Sequence, residues 1–124
     1  MSKDEKLVTV TTFNTSLNKW IGTSYDSFTI YRSKGLLTHL INRKHYIAIK
    51  YMDYLPDILN NPDYIGNDSD SIEFVKCYKD NIFISIKLDT KKSKYYVATM
   101  FEVKQSKIDA YVRNGRLIPI DDNV

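Results

Sequence analysis

The stretch SIEFVKCYKDNIFISIKLDTKKSKYYVATMFEV, residues 71–103, decides the fold class of this chain. It contains three segments rich in β-branched and aromatic residues whose apolar positions recur with a period of two, at residues 71–78, 82–88 and 95–103. The intervening turns, KDN and DTKKS, are short enough for hairpins. We therefore predict three consecutive antiparallel strands.

Upstream of these strands the apolar period becomes helical. Leu36, Leu37, Leu40 and Ile41 recur at helical spacing after Ser33, a good N-cap, and predict an amphipathic helix that ends near residues 44–46. Shorter patterns predict strands at residues 7–13 and 27–31, and helices at residues 55–61 and 106–115. Together these elements predict an α+β domain, in which an N-terminal strand and helices pack on a C-terminal antiparallel sheet of about four strands.

Length and composition limit the functional classes. The 124 residues suit a single domain, residues 1–124, and the net charge of +3 permits an anionic partner. One cysteine, Cys77, excludes an internal disulfide framework and a Cys-based zinc site. The amino terminus, MSKDEKLV, is charged where a secretory leader is apolar, and no apolar run is long enough to span a bilayer. We expect a cytoplasmic protein with no membrane partner.

The helix around His39 carries the most specific chemistry. Residues four apart share one side of a helix, so His39 and Arg43 are expected together at the margin of the apolar stripe, with His45 on the opposite flank or in the following loop. An imidazole can remove a 2′-hydroxyl proton while a guanidinium stabilises the crowded phosphate, which is a metal-free route to RNA cleavage. The alternative is a solvated helix edge with no catalytic role.

The predicted strands add candidates for phosphate binding. Lys76, Lys87 and Thr99 lie on strands that can face the helix of His39, and the Thr99 hydroxyl can hold a phosphate oxygen. Its methyl group can equally pack on a face shared with Val97 and Phe101. The acidic loop NDSDSIE lacks the ligand spacing of a calcium site, and no glycine-rich phosphate loop occurs. We expect neither a metal nor a cofactor.

From about residue 31 to residue 117, the order of motifs resembles the phage-associated branch of the barnase, EndoU, colicin and RelE-like (BECR fold) nucleases. The motifs are the His39, Arg43, His45 run, then LPDILNNPDYI, EFVK, ISIKLD, YYVATMFEV and NGRL. The resemblance implies a fold of helices and a four-stranded sheet, used by RNA-cleaving toxins and phage effectors, generally without metal. It also implies catalytic roles for His39, Arg43 or His45, and Thr99, with Lys76 or Lys87 as the phosphate cation.

These expectations combine into two functional hypotheses. The first is a metal-independent endoribonuclease, a phage or mobile-element toxin or effector, that cleaves RNA in the bacterial host cytoplasm by 2′-hydroxyl attack; transfer RNA is one candidate substrate. The second is a non-catalytic protein with the same fold, such as a phage-encoded inhibitor of a bacterial defence system. Its partner would be an immunity or defence-system protein rather than RNA.

Overall fold

The computed structural model describes residues 7–121, which build one seven-stranded sheet with helices on both faces. The strands are β1 Leu7–Thr12, β2 Thr29–Ser33, β3 Tyr64–Asp68, β4 Ser71–Cys77, β5 Asn81–Asp89, β6 Lys94–Glu102 and β7 Ile118–Pro119. The α-helices are α1 Asn18–Ile21, α2 Leu36–Asn42, α3 Tyr46–Ile49, α4 Leu55–Asn60 and α5 Gln105–Arg113, and 3₁₀ turns lie at Thr15–Leu17 and Met52–Tyr54. None of the helices in residues 7–121 is long and apolar enough to cross a bilayer.

The three strands predicted from residues 71–103 form the centre of the sheet. β4, β5 and β6 pair antiparallel through the two short turns, as their alternating pattern predicts. Ile82, Ile84 and Ile86 of β5 point to one face and are fully buried, because helices cover that face. The α+β class is therefore confirmed.

The predicted size of the sheet is wrong, because it has seven strands rather than about four. The order is β1-β2-β6-β5-β4-β3-β7. β1 and β2 extend one edge, where β2 pairs parallel with β6, and β3 and β7 extend the other edge. The N-terminal strand is thus part of the sheet and does not pack on it.

Helices cover both faces of the sheet, each over its own apolar core. The larger core joins α2, α3 and α4 to the β5 isoleucines, with Leu40, Ala48 and Ile58 fully buried. The smaller core lies on the opposite face, where Ile108 of α5 packs with Val75 and Phe83. The same face also carries polar side chains, and three of them, Ser71, Glu73 and Ser85, are buried.

A β-bulge in β6 decides which residues share this second face. Ser85 pairs with Thr99, but the next residue, Ile86, pairs with Val97, so β6 holds one extra residue at Ala98. Partners across a ladder point to the same face, which places Thr99 with Ser85 and Val97 with Ile86. The expectation that Val97 and Thr99 share a face is therefore wrong, while Thr99 and Phe101 do share one.

Gly66→Ala should destabilise the fold, because a Cβ atom at Gly66 would lie 2.1 Å from the carbonyl oxygen of Arg116. That oxygen belongs to the backbone, so relief requires moving the C-terminal segment away from β3. We expect the free energy of unfolding to fall by about 1–3 kcal/mol in urea titrations. Gly35→Ala is the matched control, since its Cβ would meet only the Ser33 hydroxyl, at 3.4 Å. Equal losses in both variants would contradict this close approach.

Candidate active site

A cleft of about 410 Å³ opens where the parallel strands β2 and β6 separate. The two strands pair only at Ile30 with Tyr95 and at Tyr31 with Tyr96, after which β2 ends at Ser33 and the chain turns into α2. The β6 bulge then lines the gap beside the first turns of α2. The polar residues that line the cleft are Ser33, His39, Asp89, Lys92, Lys94 and Tyr96, and the other lining residues are Leu7, Gly35, Leu36, Val97 and Ala98.

His39 enters this cleft from the margin of the buried stripe of α2. Leu36 and Leu40 are buried, which fixes the rotation of the helix and leaves His39 exposed beside them. The backbone N–H of His39 donates to Gly35 at 2.9 Å, so its main chain is held by the first turn. Its imidazole has no hydrogen bond or ion pair with any residue of 7–121 and is available to a substrate.

The β5–β6 turn brings two lysines to the same cleft. The Asp89 carboxylate folds this turn, because its Oδ1 accepts hydrogen bonds from the backbone N–H groups of Lys91 at 3.0 Å and Lys92 at 3.3 Å. Lys94 follows the turn, and its Nζ lies 5.2 Å from the centre of the Tyr31 ring. Lys92 and Lys94 therefore line the same cleft as His39, and their positive charge would attract a phosphate to it.

Next to the cleft lies a patch that we term the polar face, formed by Ser85, Lys87, Tyr96 and Thr99. Their ladder partners place all four on the same side of the sheet, and Tyr96 also lines the cleft. Ser85 is buried and Thr99 half-buried, yet neither hydroxyl has a hydrogen-bond partner within residues 7–121. The polar face thus offers two unengaged hydroxyls and the exposed Lys87 beside the cleft.

Beyond Ser85, the buried carboxylate of Glu73 is held by Arg116. The Arg116 Nε donates to Oε1 of Glu73 at 2.8 Å and its Nη2 donates to Oε2, a bidentate pair. The guanidinium also lies 4.4 Å from the ring of Tyr111. Hydrogen bonding to Glu73 raises the pKa of Arg116 above its already high usual value. Glu73 is 2% exposed, so this pair is a structural anchor beneath the polar face.

The structure separates the two predicted histidines. Arg43 caps α2, is exposed and forms no ion pair within residues 7–121. His45 does not line the cleft; its ring lies 6.0 Å from the ring of Phe101, at the edge of β6 toward the end of the polar face. His39 therefore belongs to the cleft, whereas His45 lies beside Phe101 of β6.

Of the two predicted phosphate lysines, only Lys87 lies beside the cleft. Lys76 occupies the opposite end of the β4–β5 ladder, where it pairs with Ile82. Its Nζ donates to the Asn61 carbonyl at 2.7 Å and lies 3.9 Å from Asp63 Oδ1, within a separate pocket. Lys76 is thus engaged in holding β4 to the segment after α4.

Sequence reasoning missed Asp89, Lys92, Lys94 and Tyr96. A local sign was present, because the turn DTKKSK carries three lysines directly before a pair of tyrosines. From the sequence alone, this turn indicates only a connection between two strands. The β5–β6 turn lies close to His39 because β2 pairs parallel with β6, and no local sequence pattern indicates that pairing.

The groups whose pKa values are shifted most, Arg116 among them, do not line the cleft. Burial and a hydrogen bond to Asp57 raise the pKa of Tyr78, and hydrogen bonds from Tyr78 and Asn61 lower the pKa of Asp57. Burial also raises the pKa of the Cys77 thiol, which makes it a poor nucleophile. In residues 7–121, no three His, Cys, Asp or Glu side chains are arranged to hold a metal ion.

The family model described as phage-Barnase-EndoU-ColicinE5/D-RelE like nuclease 3, PBECR3, matches residues 8–110. The chain belongs to this family. The match confirms the resemblance found in the motifs. Every residue that lines the cleft, except Leu7, lies inside the matched range. No curated protein and no solved structure gave a significant match. The family match supports a nuclease of BECR type.

Proposed function

We propose that this PBECR3 protein is a metal-independent endoribonuclease of phage or mobile-element origin. The observation that carries the proposal is the free imidazole of His39 in a cleft shared with Lys92 and Lys94. A base beside cations suits attack by a 2′-hydroxyl on the neighbouring phosphate. The attack needs a group that accepts the hydroxyl proton, and it needs positive charge to stabilise the negative charge that develops on the phosphate oxygens. DNA lacks that hydroxyl, so the chemistry favours RNA.

In the proposed reaction His39 removes the proton of the 2′-hydroxyl. The O2′ atom then bonds to phosphorus, the bond from phosphorus to O5′ breaks, and O5′ takes a proton from solvent. The products are a 2′,3′-cyclic phosphate and a 5′-hydroxyl. Lys94 and Lys87 neutralise the charge that grows on the phosphate oxygens, and Arg43, one helical turn after His39, binds a neighbouring phosphate.

Purified protein incubated with total or transfer RNA in excess chelator tests this proposal. We expect fragments that end in 2′,3′-cyclic phosphate, with a rate that does not change when the chelator is present. RNA that remains intact across several substrates would contradict the proposal. Cleavage that requires an added divalent metal would show that the protein is a nuclease but would contradict the metal-independent mechanism.

Thr99→Val should lower cleavage by about 10- to 1,000-fold if the hydroxyl orients the scissile phosphate, the loss expected for one positioned donor. Valine keeps the shape and the β-branching of threonine. Because the Thr99 hydroxyl has no partner within residues 7–121, the thermal midpoint should hold or rise. Unchanged cleavage with a raised midpoint would remove Thr99 from the site. Thr38→Val, on an exposed position of α2, is the matched control.

One observation favours a second candidate, a non-catalytic binding protein such as an inhibitor of a bacterial defence system. Leu37 and Ile41 of α2 are 44% and 45% exposed and lie one helical turn apart. No acidic residue occurs from residue 27 to residue 52, a stretch that holds five lysines and arginines. An apolar patch with a basic surround suits a protein partner with an acidic rim. In that case Leu37→Ser and Ile41→Ser would abolish function while His39→Ala would not.

A further inference from the structure

We infer that a second copy of this chain packs on the outer surface of α2, α3 and the 3₁₀ turn Met52–Tyr54, in a dimer with two-fold symmetry. The dimer does not depend on RNA cleavage. Within residues 7–121 five large hydrophobic side chains are exposed, and four of them belong to this one segment: Leu37, Ile41, Tyr46 and Tyr54. We term these four the outer stripe. Single exposed hydrophobic residues are ordinary, but four on consecutive elements indicate an interaction surface.

The outer stripe lies on one side of the molecule. α2, α3 and α4 cover the same face of the sheet, because Leu40, Ala48 and Leu55 are buried in one core with the β5 isoleucines. The chain passes from α3 to α4 through consecutive hydrogen-bonded turns: the backbone N–H of Tyr51 donates to Ala48 and that of Tyr54 donates to Tyr51, both at 2.9 Å. The exposed side chains of these elements can therefore meet a single partner surface.

Tyr54 is a rigid anchor at one end of the outer stripe. Its ring meets the rings of Tyr51 and Tyr78 edge-on, with 5.7 and 5.2 Å between centres. Those two rings are stacked on each other, and their hydroxyls donate to Asp80 and Asp57. Tyr54 is nevertheless 48% exposed, and its hydroxyl has no hydrogen-bond partner within residues 7–121. A tyrosine that its neighbours already orient loses little entropy on binding, which is typical of an interface hot spot.

Opposite charges lie at the two ends of the outer stripe. Residues 27–50 contain five lysines and arginines and no acidic residue, whereas residues 51–75 contain six acidic residues and no lysine or arginine. Lys44, just after α2, and Asp53, in the 3₁₀ turn, are both exposed and form no ion pair within residues 7–121. The basic surround of Leu37 and Ile41 suits an acidic partner surface, and the next segment of the same chain carries that charge.

These charges select the way in which two copies meet. A two-fold rotation lays the basic end of each stripe on the acidic end of the other, which makes two identical charge contacts. A parallel arrangement would place like charges opposite each other and is disfavoured. His39 lies about 200° around α2 from Leu37 and from Ile41, because successive residues of an α-helix are about 100° apart. The histidine therefore faces away from this interface.

Sedimentation velocity of the full chain, from about 1 µM to about 1 mM, measures the association. We expect a monomer–dimer equilibrium. Ile41→Ser and Tyr54→Ser should each lower the association constant by about 30-fold or more, because a two-fold dimer loses each hot-spot side chain twice. Leu88→Ser is the matched control, since Leu88 is 42% exposed on β5, outside the outer stripe, and should leave the association unchanged. A monomer at every concentration, or equal weakening in all three variants, would overturn the inference. Thermal midpoints of the variants check that each is folded.

Two charge-reversal variants test the two-fold arrangement. In a dimer of Lys44→Glu, or of Asp53→Lys, like charges face each other at both contacts, so each variant alone should associate about tenfold more weakly than the wild type. An equal mixture of the two should form a heterodimer with the affinity of the wild type, because both of its contacts again join opposite charges. A mixture that associates no better than its components, or a wild-type mass that rises beyond two chains, would overturn the two-fold dimer.

Discussion

His39→Ala should lower the rate of RNA cleavage by about 100- to 10,000-fold, the contribution expected of a positioned general base. The loss should appear in kcat more than in KM, because His39 acts on the proton of the reacting hydroxyl and the lysines supply most of the phosphate binding. Stability should change by less than about 0.5 kcal/mol, since the His39 side chain is exposed and unpaired within residues 7–121. Single-turnover cleavage and a thermal midpoint measured on the same preparation check both statements.

His45→Ala is the matched control for His39. It removes the other imidazole of the chain, which lies beside Phe101 and outside the cleft. We expect it to retain cleavage within about tenfold of the wild type, a much smaller effect than that of a general base. A large loss in His45→Ala with full activity in His39→Ala would move the base to the edge of β6. Full activity in both variants would reject acid–base catalysis by histidine.

Arg116→Leu should destabilise the protein by about 3 kcal/mol, because it leaves the buried carboxylate of Glu73 without its partner. This loss is at the lower end of the range of about 3–5 kcal/mol expected when a buried ion pair loses one partner. The reason is that the Arg116 side chain is 35% exposed, so water can reach the space that it leaves. The same change frees the C-terminal segment that crosses Gly66. Urea unfolding of the variant and the wild type under identical conditions measures the difference.

Two further variants isolate the cause of that loss. Arg116→Lys keeps a cation but cannot reproduce the two parallel hydrogen bonds to Glu73, so we expect a smaller loss than in Arg116→Leu. The double variant Glu73→Leu with Arg116→Leu should be more stable than Arg116→Leu alone, because no charge is then left unpaired in the interior. A double variant that is less stable than the single one would show that packing, not the ion pair, dominates.

The central sheet was predictable because its strands carry their own pattern. β4, β5 and β6 alternate apolar and polar residues over seven to nine positions, so each contains the evidence for its own structure. β3 was missed because its sequence, YIGND, has only two apolar residues followed by Gly, Asn and Asp, which are rare in strands. Its pairing with β4 overrides that composition. β7 has two residues and no pattern of its own.

The candidate site was predictable only where it depends on one helix. The stripe of Leu36 and Leu40 predicts His39 at its margin, and the structure places it there. The companions of His39 come from a turn more than forty residues later, brought close by the parallel pairing of β2 with β6. The face of Thr99 was also hidden, because one bulge at Ala98 reverses the alternation. Non-local strand pairing and a single inserted residue are therefore the two features of the site that could not be predicted from the sequence.

The central claim is that the protein cleaves RNA through the 2′-hydroxyl next to the broken bond, and one pair of substrates tests it most directly. An RNA oligonucleotide is first mapped for its cleavage site in excess chelator, and a second copy then carries a 2′-deoxy nucleotide at that position alone. We predict that the first oligonucleotide yields a 2′,3′-cyclic phosphate at the site and that the second is not cut there. Cleavage of both oligonucleotides at the same bond would contradict 2′-hydroxyl attack and, with it, the role assigned to His39.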